Sequence, residues 1–219
     1  MKLISILHAG TVAIGAAVIC ISAQHSEAAA MDDFRAFITT TQSARAEFKQ
    51  SVIDVKGKTT QQASGTLAFV RPGKFRWQYI KPAQLIVGDG KRVSFFDEDL
   101  NQVTVKKLET AFASTPAALL AGKSEVEAAF TLVAGGESDG LAWVNAEPKS
   151  KEAGIEKVRL GFQKNNAPTG PAGQLAAMEL FDPFGNCTKI TFTKFERNPK
   201  IDAKEFVFVP PKGADVVGE

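Results

Sequence analysis

The chain is short of the residues that carry most side-chain catalysis. It has 2 histidines and 2 cysteines in 219 residues. His8, His25 and Cys20 all fall within the first 30 positions, so the remainder keeps one thiol, Cys187, and no imidazole. That excludes a Ser-His-Asp triad, a Cys-His pair and a His-ligated zinc site from the remainder. It also excludes an internal disulfide there. Paired carboxylates and Ser-Lys dyads stay possible, but no pattern singles one out. This argues against a hydrolase, and no metal or cofactor is expected. Charge of one sign is lacking too: 26 Lys and Arg face 24 Asp and Glu, for a net +2. Such a balance does not fit a nucleic-acid binder. Tyrosine and tryptophan are scarce, at 1 and 2, but there are 16 phenylalanines, all beyond residue 30. A Phe-rich chain without disulfides has a large apolar face to hide or to use.

The first 30 residues read as a secretory signal peptide. Lys2 is a short basic start, Leu3 to Ile21 is mostly apolar, and Ala28-Ala29-Ala30 is a small-residue end. Cleavage before Met31 leaves one domain over residues 31–219, long enough for a large core. A membrane anchor is the rival reading, because the apolar run is long for a signal. His8 and the interspersed Gly, Ala and Ser residues count against it, so no stable membrane insertion is expected. Ile19 precedes Cys20 where a lipidation signal needs a small residue.

The stretch Ser64 to Pro82, SGTLAFVRPGKFRWQYIKP, reads as a β-hairpin. Strand side chains alternate, so Leu67, Phe69 and Arg71 share one face, and Phe75, Trp77 and Tyr79 share one face. A two-residue loop at Pro72-Gly73 would turn these sets to opposite sides. A three-residue loop, Pro72-Gly73-Lys74, brings them together and pairs Phe69 with Trp77, Leu67 with Tyr79 and Arg71 with Phe75. Arg71 then ends the aromatic face. It is either a strand-end cation reaching water past the turn, or a cation that hydrogen-bonds something placed over the sheet.

Around this hairpin the chain alternates strands and turns. A helix is expected over Asp32 to Gln42, with Phe34, Phe37, Ile38 and Thr41 on one stripe. Strands are expected at Ala44 to Val55, Leu85 to Val87, Val93 to Phe96 and Gln102 to Lys106, with Lys56 to Gln62 as a polar turn. Gly88-Asp89-Gly90-Lys91 and Asp97-Glu98-Asp99 supply further turns. With the hairpin they make an antiparallel meander. Leu108 to Phe112 and Thr115 to Gly122 read as short helices, the second with Thr at the N-cap, Pro at its first position and Gly at its end. Strands resume at Phe130 to Val133, Leu141 to Ala146, Ile155 to Phe162, Gln174 to Phe181, Lys189 to Phe195 and Phe206 to Val209. Asn165 to Gly173 reads as a flexible loop. So many strands in one curved sheet enclose more space than side chains fill. A half-barrel then needs a cover, and residues 32–42 and 108–122 are the material for it. The expected result is an apolar cavity lined by Leu67, Phe69, Phe75, Trp77, Tyr79, Leu85, Val87, Phe95, Leu119 and Leu120. A compact sandwich with these residues as core fits the pattern equally well.

The chain resembles the LolA family of periplasmic outer-membrane lipoprotein carriers. The resemblance runs through ARAEFKQ at 44–50, SGTLAFVRPGKFRW at 64–77, GDGK at 88–91, TPAALLAG at 115–122, the DPFGN turn and DAKEFVFVPPKGADVV at 202–217. It implies an α+β fold: an unclosed antiparallel half-barrel of about 11 strands, covered by a short α-helical lid. It implies a periplasmic monomer without enzyme activity that takes up the acyl chains of lipoproteins. The implied partners are an inner-membrane ABC lipoprotein-release transporter and an outer-membrane lipoprotein receptor. By the same resemblance Arg71 is a lid switch, bonded to backbone carbonyls near Leu120 and Ala121, Phe75 is tied to transfer, and Trp77 lines the cavity. Gly73-Lys74 departs from the bulkier pair of some members. Cys187, the Asn165 to Gly173 loop and the link at 146–154 gain no role. A glycolipid or lipid carrier, or a lipid-sensing regulatory module on the same half-barrel, is the alternative.

Overall fold

The computed structural model describes residues 30–111, 115–122, 124–150, 154–164 and 173–218. The expected signal peptide before residue 30, Phe112 and most of the Asn165 to Gly173 loop lie outside the described residues. Among these residues there are four helices, α1 (30–40), α2 (Leu108–Ala111), α3 (Pro116–Ala121) and α4 (Ser124–Ala129). The strands are β1 (Ser43–Ile53), β2 (Thr59–Val70), β3 (Lys74–Lys81), β4 (Gln84–Asp89), β5 (Arg92–Asp97) and β6 (Gln102–Lys107). They continue as β7 (Phe130–Ser138), β8 (Leu141–Pro148), β9 (Lys157–Gln163), β10 (Leu175–Phe181), β11 (Cys187–Arg197) and β12 (Asp215–Gly218).

All of them belong to one 12-stranded sheet in the order β12-β6-β5-β4-β3-β2-β1-β11-β10-β9-β8-β7. The two edges, β12 and β7, do not pair, so the barrel is open. Ten of the pairings are antiparallel and the last, β12 on β6, is parallel. The expected meander is present as β1 to β6. Residues 59–62, expected as turn, pair with β1 instead, because Asp54 closes the turn early by accepting from the Lys56 and Lys58 backbone N–H groups, each at 2.9 Å.

Two expectations on strands fail. Phe206 to Val209 does not pair. Asp202 accepts from the Lys204 N–H at 2.9 Å and starts a 3-10 turn over Ala203–Phe206. That turn crosses the outer face at β3 and β4 and buries Phe206 there. Pro210-Pro211 then supplies no N–H for a ladder, and the last strand forms only at β12. The hairpin register is also two residues from the expected one. Val70 faces Lys74, Phe69 faces Phe75 and Leu67 faces Trp77. A shift of two keeps every side chain on its face, but it moves Arg71 out of the sheet and into the turn Arg71-Pro72-Gly73. The turn is held from outside the hairpin. Arg71 N–H donates to Gln42 O at 2.8 Å, and Gly73, at a φ of +70°, donates to Ala121 O at 2.9 Å.

The inner face carries the main core. Phe48, Leu67, Phe69, Phe75 and Trp77 are each no more than 2% exposed. Two helices cover them. α1 buries Phe34, Phe37 and Ile38 against this core, with Phe34 and Phe37 edge-on to Phe162 at 6.4 and 5.8 Å. α3, all but Pro116 buried, packs on β2 and β3. The sheet makes room for its own aromatics with glycine. Gly65 sits on the inner face between Phe48 and Tyr79 in the ladder. A Cβ there would lie 2.0 Å from Gln78 O and 2.7 Å from Phe48 Cζ. Backbone cannot yield as a side chain can, so Gly65→Ala is expected to lower stability by about 3 kcal/mol or more, the upper end for overpacking. Urea unfolding would show this as a lower midpoint at unchanged slope.

Candidate functional site

The site is the inner aromatic face together with the lid that closes it. Its key is Arg71. Helices leave their last carbonyls without partners, and here the C-terminal ends of two helices meet one guanidinium. Arg71 Nε donates to Gly122 O at 2.7 Å and Nη2 donates to Leu120 O at 2.8 Å, both at the end of α3. Nη1 donates to Phe37 O at 3.2 Å and to Thr41 O, at the end of α1. Ala121 O, expected to bond Arg71, takes the Gly73 N–H instead. The turn after β2 thus caps Leu120, Ala121 and Gly122 at the end of α3, and α1 in part. Phe37 and Phe69 flank the cation, with Arg71 Cζ at 4.8 and 5.1 Å from their ring centres.

Arg71 is 6% exposed, and among the described residues no carboxylate pairs with it. Burial alone pushes its pKa down to about 10. The group therefore stays charged at neutral pH, solvated by carbonyl dipoles rather than by an anion.

Beyond Arg71 the face continues as an aromatic stack. Phe48 lies on Trp77 with ring centres 4.3 Å apart, and Tyr79 stands edge-on to Phe48 at 5.3 Å. Phe192 reaches Trp77 at 6.3 Å from β11. Tyr79 is the polar end of the stack: its hydroxyl donates to Gln50 Oε1 at 3.0 Å. Burial raises its pKa, and the Trp77 and Gln50 side chains oppose that rise. Two clefts open at this end. One, about 260 Å³, is bounded by Gln50, Tyr79, Pro116, Ile155 and Leu180, and the other, about 390 Å³, by Gln50, Gln62, Tyr79 and Gln84. α3 thus runs from Pro116 at the clefts to its capped end at Arg71.

The structure gathers most of the expected lining. Leu67, Phe69, Phe75, Trp77, Leu119 and Leu120 lie in one buried cluster, with Tyr79 and Phe95 packed against it. Leu85 and Val87 are not on this face. The register sets Ile86 opposite Trp77 and Phe95, while Leu85 and Val87 face Gln78 and Arg76 on the outer side. Leu85 borders an outer cleft, and Val87 is buried on the side the C-terminal turn crosses. Along this face Leu119, Leu120 and the aromatics of that cluster are all shielded from solvent. Phe48, Gln50 and Ile86 belong to the site and were not expected in it. Phe48 was findable, since it alternates with Ala46 on a strand beside Leu67. Gln50 was not, being polar at an inward position.

Among the described residues no group of three or more His, Cys, Asp or Glu is placed to hold a metal. None of their helices is long and apolar enough to cross a membrane. Cys187 is half-buried, and burial raises its pKa.

Comparison with known proteins agrees with this architecture. The model of the family described as "Outer membrane lipoprotein carrier protein LolA" matches residues 39–209. An outer-membrane lipoprotein carrier protein of Dechloromonas aromatica is 50% identical over 195 residues, which is 89% of this chain and 90% of that one. One of Methylobacillus flagellatus is 46% identical over 190 residues, or 86% and 89% of the two chains. Among solved structures, a LolA superfamily protein of Nitrosomonas europaea shares the fold, with a TM-score of 0.50 at 9% identity over 85% of this chain and 97% of that one. An uncharacterised conserved protein of Thermus thermophilus does so with a TM-score of 0.52 at 14% identity over 90% and 98%. The chain belongs to the LolA family of outer-membrane lipoprotein carrier proteins.

Proposed function

We propose that the protein is a periplasmic carrier that shelters the acyl chains of lipoproteins beneath α3 and hands them on at the outer membrane. In this reading residues 1–30 are removed on export and residues 31–219 form the carrier. Its load comes from an inner-membrane ABC transporter and goes to an outer-membrane receptor, with no covalent chemistry. The observation that carries the reading is the buried Arg71, bonded only to carbonyls of the two helices that cover the aromatic face.

The physics suits a carrier. A fully sequestered fatty chain is worth on the order of 10 kcal/mol or more, at about 0.8 kcal/mol per methylene. Such a load would not be released on a useful timescale. In the closed protein Leu119 and Leu120 pack with the Trp77 stack in one buried cluster. A ligand must displace them and break the Arg71 bonds, which reduces its apparent affinity by the fraction of protein that is open. Charge-assisted hydrogen bonds are worth about 1.5–3 kcal/mol each. Losing one shifts the open fraction by one to two decades.

Two measurements test this. Spheroplasts displaying a tagged outer-membrane lipoprotein, incubated with the purified protein, are expected to release it as a soluble one-to-one complex. Arg71→Leu is expected to form that complex with about tenfold or greater affinity and to fail in transfer to the receptor. Retention of the lipoprotein on the membrane, with extraction of free lipid instead, would overturn the reading in favour of a lipid or glycolipid carrier. Free transfer by the Arg71→Leu protein would remove Arg71 from the switch. Mass spectrometry of the exported protein is expected to give a chain beginning at Met31. A retained N-terminus would place the protein on the membrane instead.

A further inference from the structure

Among the described residues the buried donors without a hydrogen-bond partner are the Trp77 indole, the Thr41 hydroxyl and Arg197 Nε, and of these Trp77 lies in the aromatic stack. Trp77 is 1% exposed, and its Nε1 has no hydrogen-bond partner. The other tryptophan shows that the chain can satisfy an indole: Trp143 Nε1 donates to Ser138 O at 3.1 Å. A buried donor left unpaired costs more than a neutral bond returns, and a phenylalanine at 77 would fill the same apolar stack without that cost. The donor is also placed at a boundary. Toward Arg71 the inner face is hydrocarbon: Leu67, Phe69 and Phe75. Toward the clefts come the Tyr79 hydroxyl and Gln50, which bond each other at 3.0 Å. The Tyr79 hydroxyl has given its hydrogen to Gln50, and its oxygen lies near the Trp77 N–H without reaching hydrogen-bond geometry.

A fatty-acyl chain is hydrocarbon ending in a carbonyl, and that carbonyl has only acceptors to offer. We infer that Trp77 Nε1 binds the carbonyl oxygen of a fatty-acyl ester or amide, at the step where the hydrocarbon face meets Tyr79 and Gln50. The hydrocarbon runs inward beneath α3, and the group that bears the acyl chain leaves through the clefts beside Gln50 and Pro116. This rests on the acyl-chain reading above and adds to it the part of the ligand that fixes depth. Trp77 here does more than line the face: it sets where a chain stops.

The test separates the carbonyl from the hydrocarbon. Dipalmitoylglycerol in its ester form and in its carbonyl-free ether form would be titrated against the purified protein, by displacement of a bound fluorescent probe. The cost of lid opening is common to both and cancels in their ratio. The ester is expected to bind about fivefold tighter than the ether, the value of one neutral hydrogen bond. In Trp77→Phe the two are expected to agree within about twofold. An N-alkyl palmitamide set against the uncharged dialkyl ether of the same chain length forms the second arm. Whichever of ester and amide gains over its carbonyl-free partner identifies the source. No gain for either in the unaltered protein, or a gain that survives in Trp77→Phe, overturns the inference and leaves acyl binding intact. Failure of every lipid to bind overturns the acyl-chain reading and this inference together. Should Trp77→Phe not fold, the indole N–H resonance decides, assigned with Trp143→Phe. It should move downfield with the ester and stay with the ether; the same shift with both overturns the inference.

Discussion

A single buried cation holds the closed form together. Arg71 carries five N–H donors and makes four hydrogen bonds with them, all to carbonyls at the ends of two helices. Neither helix is long. α3 has 6 residues and no side-chain cap at Thr115, so it has little stability of its own. Its place over the sheet is set by burial of Leu119 and Leu120 and by the three carbonyls that the β2–β3 turn satisfies. The absence of a carboxylate matters here. A buried ion pair is costly to separate, and a lid closed by one would stay closed. In the proposed reading carbonyls on the lid helix are a weaker partner, which water replaces when the helix lifts.

The same arrangement keeps the aromatic face covered when nothing is bound. A hydrocarbon-lined void loses the dispersion contacts of its walls, and an aromatic face of this size left open to water would invite association. The lid solves both by supplying apolar side chains of its own. In the proposed reading ligand and lid then compete for one surface, and affinity is a difference between two burials rather than the full value of either. Gly65 has its part in this. By leaving out a side chain on the inner face it admits the Phe48 ring between β2 and Trp77.

Much of this was legible in the sequence, for reasons that also mark where legibility stopped. Period-two alternation put Leu67, Phe69, Phe75, Trp77 and Tyr79 on one face, and parity survives a two-residue error in register. It says nothing about Arg71's position beyond the last pair, which is fixed by Gln42 and Ala121, residues far along the chain. Leu85-Ile86-Val87 offers no alternation at all, because the C-terminal turn covers the outer face of β4. With both sides apolar, the inward residue cannot be told from its neighbours, and Leu85 and Val87 were assigned inward where Ile86 belongs. Phe206 to Val209 is a short apolar run of strand-forming residues, but Asp202 and the two prolines at 210–211 decide its fate. α4 escaped notice because its sequence, SEVEAA, offers little apolar pattern; Val126 is its buried anchor.

The two ends of the inner face differ in one respect that pattern could not reveal. At Arg71 the guanidinium and the helix carbonyls already serve as each other's partners when nothing is bound. At Trp77 the protein provides a donor alone. An interior built only for stability would satisfy both ends or make both apolar, since an apolar residue of similar shape removes the cost of an unpaired group. The asymmetry gives the face a direction. The Arg71 end is where the lid is fastened, and the Trp77 end, beside the clefts and the first turn of α3, is where an acceptor from outside has something to gain by entering.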